Sequence, residues 1–319
     1  MQSLWMVFAA LLFSLMGVCV KLLSGIYTTP EIVMYRSLIG AIFMFFVVLA
    51  RKGSFRTAFF WQHLWRGVVG VTAHGLWFYA LVFLPLATAV TLNYMSPIWI
   101  AAFLFLIGIL KRKVGFEWRL VFAILASFIG VALLLRPTIH AHQWFAGLVG
   151  LVSGALAAMA YLQVRRLGEL GEPEYRVVFY FCVIGSICAA LACVVSAYLP
   201  GSDGVIWHSH DGYGFSLLVV IGVSAAIAQV AMTRAYHLGK TLVTANLQYS
   251  GIVFSSIWGI LIWDDALGIT GWLGIAIIMA SGMATTFFDV RHKMAATSAV
   301  FHRSKKRLMQ TSRIDSEKE

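Results

Sequence analysis

Apolar runs of about twenty residues follow one another along almost the whole chain, each long enough to cross the hydrocarbon core of a bilayer as a helix. Ten can be delimited, at 3–24, 31–50, 67–85, 87–110, 118–136, 146–165, 175–198, 214–236, 241–263 and 269–289. A segment in lipid must satisfy its own backbone polar groups, so runs of this length are helices. Charged residues make up only 12% of the chain against 61% hydrophobic, about half the charge of an ordinary soluble domain. The expected fold is therefore all-α integral membrane, ten transmembrane helices with no separate soluble domain. Connections as short as Pro85-Leu86 and Leu238-Gly239-Lys240 make the helices they join antiparallel neighbours. No basic stretch precedes Leu4 and no small-residue cleavage site follows the first run, which is expected to stay as a span.

Charge sets the orientation. Of the 24 Lys and Arg, all but Lys21, Arg36 and Arg136 fall in segments that are cytoplasmic if the N-terminus is cytoplasmic. That asymmetry predicts an inner (plasma) membrane protein with both termini inside. The net charge of +11 is then a matter of topology, and no nucleic acid is expected as a partner. Cys19, Cys182, Cys188 and Cys193 all lie inside apolar runs and are expected as small buried hydrophobes. The outer loop 199–213 carries His208 and His210, and a second loop His140 and His142. Neither offers a third ligand at metal spacing, so both are expected as polar loops, and no metal or other cofactor is expected.

One polar phrase occurs twice. Thr88-Ala-Val-Thr91-Leu-Asn93 opens the fourth run and Thr241-Leu-Val-Thr244-Ala-Asn246 the ninth, interrupted further on by Ser96-Pro97 and Ser250-Gly251. Pro30-Glu31 before span two is echoed by Pro173-Glu174 before span seven, and Gly70-Val-Thr-Ala73 by Gly222-Val-Ser-Ala225. Polar groups at membrane depth are costly unless they face a cavity or another helix. Repetition once per half points to an internal duplication over 3–136 and 146–289, followed by a basic tail over 290–319. Five spans is an odd number, so the halves are expected to be inverted in the membrane, the arrangement of carriers that alternate access around a shared interface.

Candidate solute contacts follow from polar residues inside spans. Arg36, five residues into span two, is suited to bidentate contact with a carboxylate or phosphate; its structural role would be contact with helix-end carbonyls or Glu31. Lys21 is expected near it in the outer third, or snorkelling to headgroups. His74 in span three, beside Tyr79, is a proton relay or an interhelical hydrogen-bonding group, with Gln229 in its partner region of span eight. Asn93, Tyr94 and Ser96 in span four, with Asn246, Gln248 and Tyr249 in span nine, either line the pathway or hold helices together. Tyr161, Gln163 and Tyr180 are weaker candidates of the same kind. No acidic residue falls in mid-membrane, so coupling through a buried carboxylate has no support in the residues.

The five-plus-five pattern, the arginine of span two, the run Thr241–Trp258 (TLVTANLQYSGIVFSSIW) and the stretch Gly271-Trp-Leu-Gly274 to Gly282 resemble the drug/metabolite transporter superfamily, specifically EamA-type carriers. The resemblance covers about residues 3–289. It departs where many relatives carry Gly-Glu after spans four and nine: here stand Gly108-Ile109 and Trp263-Asp264-Asp265. It implies a secondary transporter, not an enzyme, moving a small polar metabolite as an exporter or exchanger. With the arginine, an anionic or zwitterionic solute such as an amino acid is expected. A cationic, nucleoside-type solute such as S-adenosylmethionine, held on Tyr94 and Tyr249, is the alternative. A lipid-modifying enzyme of the membrane lacks the carboxylate–histidine clusters its chemistry needs. Membrane lipids and the solute are the expected partners, in a monomer or homodimer.

Overall fold

The structure, a computed structural model, describes residues 2–110, 143–198, 205–239, 241–265, 268–281 and 283–284, with a few positions between 122 and 133. The helices are α1 (Trp5–Leu23), α2 (Thr29–Ala50), α3 (Phe60–Phe83), α4 (Leu86–Asn93), α5 (Ser96–Leu110), α6 (Trp144–Glu169), α7 (Glu174–Ala197), α8 (Gly212–Leu238), α9 (Thr241–Leu247), α10 (Ser250–Trp263) and α11 (Ile269–Ser281). Counting α4–α5 and α9–α10 as one crossing each, eight are long and apolar enough to cross a membrane, with the shorter α11 beside them. The chain is an all-α membrane protein. Most of span five and all of the basic tail lie outside the described residues, and span ten is described over 269–281 and 283–284.

Local chemistry sets the helix ends. Thr28 and Glu31 form a capping box at the start of α2, with Pro30 in its first turn. Asp211 caps α8 through the Gly214 amide (2.8 Å). Leu84 is extended ahead of Pro85, which ends α3 and turns the chain into α4. The start of α3 lies earlier than the sequence reading of 67, because Phe60, Trp61 and Trp65 carry the helix through Gln62, His63 and Arg66. His63 and Arg66 are thereby buried inside the helix.

Spans four and nine are each broken in two, and each break precedes the interrupting residue. Proline at 97 has no amide to give and disfavours helical backbone just before it, so α4 stops at Asn93 and α5 restarts at Ser96. In span nine the chain passes Gln248 and Tyr249 on short-range bonds, Tyr249 to the Asn246 carbonyl (3.0 Å) and Ile252 to the Tyr249 carbonyl (3.0 Å). Gly150 and Gly154 let α6 lie against the first break; a Cβ on Gly154 would stand 2.7 Å from the Leu92 carbonyl oxygen.

The helices pack as pairs that exchange. Set α1, α2, α3 and α4–α5 against α6, α7, α8 and α9–α10: the α1–α8 contact answers α6–α3, α2–α8 answers α7–α3, and α1–α10 answers α6–α5, while α2 packs directly on α7. Both ends of the bundle are closed by contacts between the two sets. At one end Lys21 pairs with Asp265 (2.9 Å), and Glu31, fully buried, receives the His208 amide (2.7 Å) and its Nδ1 (2.7 Å). At the other, Glu172 receives the Thr57 hydroxyl (2.7 Å) and lies 3.4 Å from His63, while Arg176 donates to the Ser54 carbonyl (2.9 Å).

Candidate functional site

The breaks that follow the two repeated phrases meet. Ser96, at the restart of the first broken span, donates to the Gln248 side-chain oxygen at the break of the second (2.8 Å, buried). Tyr94 lies in the first break directly against Gly251 of the second, where any side chain would collide with its ring. Gln248 donates in turn to the Tyr236 hydroxyl (3.3 Å), and Tyr236 stacks on Tyr161 with ring centres 5.4 Å apart. Asn93 donates to Ser153 of α6 (3.1 Å). Tyr249 is buried with its hydroxyl unpartnered, and Asn246 is half-buried on α9. Interrupted helices bring backbone ends and polar side chains to the interior at membrane depth, where solute sites of carriers are built.

Beside this junction lies a cavity of about 10 Å³, lined by Phe13, Ala73, His74, Trp77, Asn93, Tyr94, Ala157 and Tyr161. It is too small for a metabolite. His74 links it to a second cluster. Its Nδ1 meets the Gly70 carbonyl (2.7 Å), which only accepts, so that nitrogen carries the proton. Its ring lies 5.5 Å from that of Phe181 on α7.

Phe181 is the hub of a cationic core. The Arg66 guanidinium lies over its ring at 3.9 Å and that of Arg36 at 5.5 Å. Both arginines are 2% exposed. Arg66 Nη2 donates to Gln229 (3.0 Å), but Arg66 Nε and Nη1 and Arg36 Nε and Nη2 are buried without a partner. Glu31 is committed to Thr28 and His208, so it does not neutralise Arg36.

The candidates named from sequence thus divide. Arg36, His74 and Gln229 gather around Phe181; Asn93, Tyr94, Ser96, Gln248 and Tyr249 gather at the breaks. Lys21 does not join Arg36: it is held at one end of the bundle by Asp265 and the Trp263 ring (4.6 Å). Tyr79 is also apart, packed on Phe83 and Phe145 beside an apolar groove of about 440 Å³. Sequence reading missed Arg66 and Phe181. Arg66 had been counted with the flanking cations, and the aromatic residues ahead of it were the signal that the helix starts earlier. Of the histidine loop, His208 serves Glu31 and His210 packs on Tyr27 and Tyr35; no metal-binding group of three occurs among the described residues.

Similarity to known proteins agrees with this architecture. Residues 1–136 match the model of the EamA-like transporter family. The pseudopaline exporter CntI of Pseudomonas aeruginosa is 34% identical over 285 residues, covering 86% of this chain and 92% of that protein. A riboflavin transporter of Rhizobium johnstonii is 26% identical over 92% of this chain and 91% of its own. An S-adenosylmethionine uptake transporter of Rickettsia felis is 21% identical over 74% of this chain and 75% of its own. A solved crystal structure superposes with a TM-score of 0.62 at 19% identity, over 91% of this chain and 96% of that one, a likeness of fold. With broken spans meeting in the core and a relative at this identity along nearly its full length, the chain belongs to the EamA-like transporter family of secondary carriers, which are not enzymes.

Proposed function

We propose that this carrier moves a small anionic or zwitterionic solute by alternating access, with Arg36 receiving a carboxylate. The observation that carries the reading is a guanidinium 2% exposed at membrane depth with Nε and Nη2 unpartnered. An arginine inside a span is costly, about 2.5–3.5 kcal/mol at the centre on the mildest scale and less toward the end where Arg36 lies. A fold keeps that cost where a ligand offsets it. Arg presents a planar fork that a carboxylate meets with two hydrogen bonds. The cationic alternative is left with the Tyr94 and Tyr249 rings, since Glu31 and Glu172, the buried carboxylates among the described residues, are held by His208, Thr57 and Arg176 at the ends of the bundle.

The exchange of helix contacts between the two sets supports an inverted duplication, and with it ten spans divided as 3–136 and 146–289. In such a carrier the two closed ends open in turn: Lys21–Asp265 and Glu31–His208 release one, Thr57–Glu172 and Arg176–Ser54 the other. The lysine and arginine bias supports a cytoplasmic side for the second end and for both termini. Export or exchange is the direction favoured by the relation to an exporter and by the lack of acidic residues in the middle of the spans. The test is counterflow of a carboxylate solute into proteoliposomes, with Arg36→Ala as the comparison. Uptake by the wild type that falls at least about tenfold in the variant supports the reading. Equal uptake by both removes Arg36 from the site.

A further inference from the structure

Resting on the carboxylate reading above, we propose that the core site takes a dianion, a dicarboxylate with one group on Arg36 and the other on Arg66. Two guanidinium groups share one aromatic ring, at 5.5 and 3.9 Å from its centre, so they are separated by no more than the sum of those distances. Both are 2% exposed, and four of their nitrogens, Nε and Nη2 of Arg36 and Nε and Nη1 of Arg66, are buried without a hydrogen-bond partner. Neither makes an ion pair among the described residues. Glu31 and Glu172, the two buried carboxylates among the described residues, are held at opposite ends of the bundle by His208 and by Thr57 and Arg176.

Structural arginines in a membrane core satisfy their donors with backbone carbonyls or a carboxylate. Here the hydrogen bond made among the described residues is from Arg66 Nη2 to Gln229, a neutral side chain that fixes the fork and leaves its charge uncompensated. Gly70 lets α3 lie close against both groups: a Cβ there would stand 2.9 Å from the Phe181 ring and 3.4 Å from Arg66 Nη1. A monocarboxylate would neutralise one guanidinium and leave the other bare in a medium of low dielectric, where an unpaired charge is most costly. A ligand with two carboxylates neutralises both, and its carbon chain lies along the Phe181 ring. Lys21 adds no third positive charge, since Asp265 already pairs it. His74, on the same ring, presents one face of the site with Nδ1 committed to Gly70.

The experiment measures melting shifts of the full chain in lipid nanodiscs, titrated with malonate, succinate, glutarate and adipate, each beside its own monoamide at equal ionic strength. Ligand that binds the folded state raises its melting temperature in proportion to the logarithm of concentration over dissociation constant. The expected result is one or more diacids binding at least about tenfold tighter than the matching monoamide, the ratio set by one extra charge-assisted contact. Arg66→Gln should abolish that preference and Arg66→Lys should keep part of it. Equal binding of diacid and monoamide by the wild type overturns the dianion site and leaves the carboxylate carrier standing. An undiminished preference in Arg66→Gln also overturns it. No binding by either series overturns both readings. Should Arg66→Gln not fold, the wild-type ratio and Arg66→Lys decide the question.

Discussion

Gly251 and Arg66 each show how one side chain, or the lack of one, decides this core. Gly251 lies against Tyr94, so the absence of a Cβ is what lets the second broken span touch the first. Gly251→Ala is expected to lower stability by about 1–3 kcal/mol through overpacking. Gly25→Ala, where nothing lies within 4 Å, should be near neutral. Thermal unfolding in detergent distinguishes them, and equal melting would mean that the Tyr94 contact is dispensable. Arg66 was in plain view in the sequence but was assigned to the flank, because Gln62, His63 and Arg66 depress the hydropathy that delimits a span. Its burial depends on Phe181, more than a hundred positions away, and no local pattern reports such a contact. Arg36 was legible because it interrupts an apolar run by itself. Its separation from Lys21 was not, since Asp265 competes for the lysine from the far end of the chain.

At the scale of elements, the broken spans were legible as interruptions by Ser96-Pro97 and Ser250-Gly251, and proline chemistry places the first break one turn early. Their contact with each other was not written in either segment. The Ser96–Gln248 hydrogen bond should show coupling of about 0.6 kcal/mol, the average for interhelical bonds in membranes, in a double-mutant cycle of Ser96→Ala and Gln248→Ala. Strictly additive melting changes would remove it as a link between the breaks. The closing contacts at the two ends are separate units, Glu31 holding the segment around His208 and Glu172 the segment around Thr57. Glu31→Gln is expected to raise amide hydrogen exchange at 205–211 and leave 51–59 unchanged; Glu172→Gln should do the reverse. Exchange that rises at both ends in either variant would show that the ends do not open independently.

For the whole molecule, the all-helical membrane class followed from run length alone, and the family resemblance from the five-plus-five pattern, the arginine of span two and the stretches Thr241–Trp258 and Gly271–Gly282, with the family model matching residues 1–136. Polar groups of each phrase are satisfied within the bundle, Thr91 on the Ala87 carbonyl, Asn93 on Ser153 and Thr244 on the Ala235 carbonyl, while the breaks that follow the phrases join through Ser96 and Gln248. What no pattern along the chain revealed was the charge balance of that core, which depends on which side chains converge in space. The central claim, a carrier whose passage turns on buried arginine, is tested most directly by release from loaded vesicles. Proteoliposomes holding wild type, Arg36→Ala or no protein are filled with a mixed metabolite extract, and the released solutes are identified by mass spectrometry. The account predicts a carboxylate-bearing solute that leaves wild-type vesicles, stays in empty ones, and leaves Arg36→Ala vesicles at least about tenfold more slowly. Release of the same solute at the wild-type rate from Arg36→Ala would contradict it.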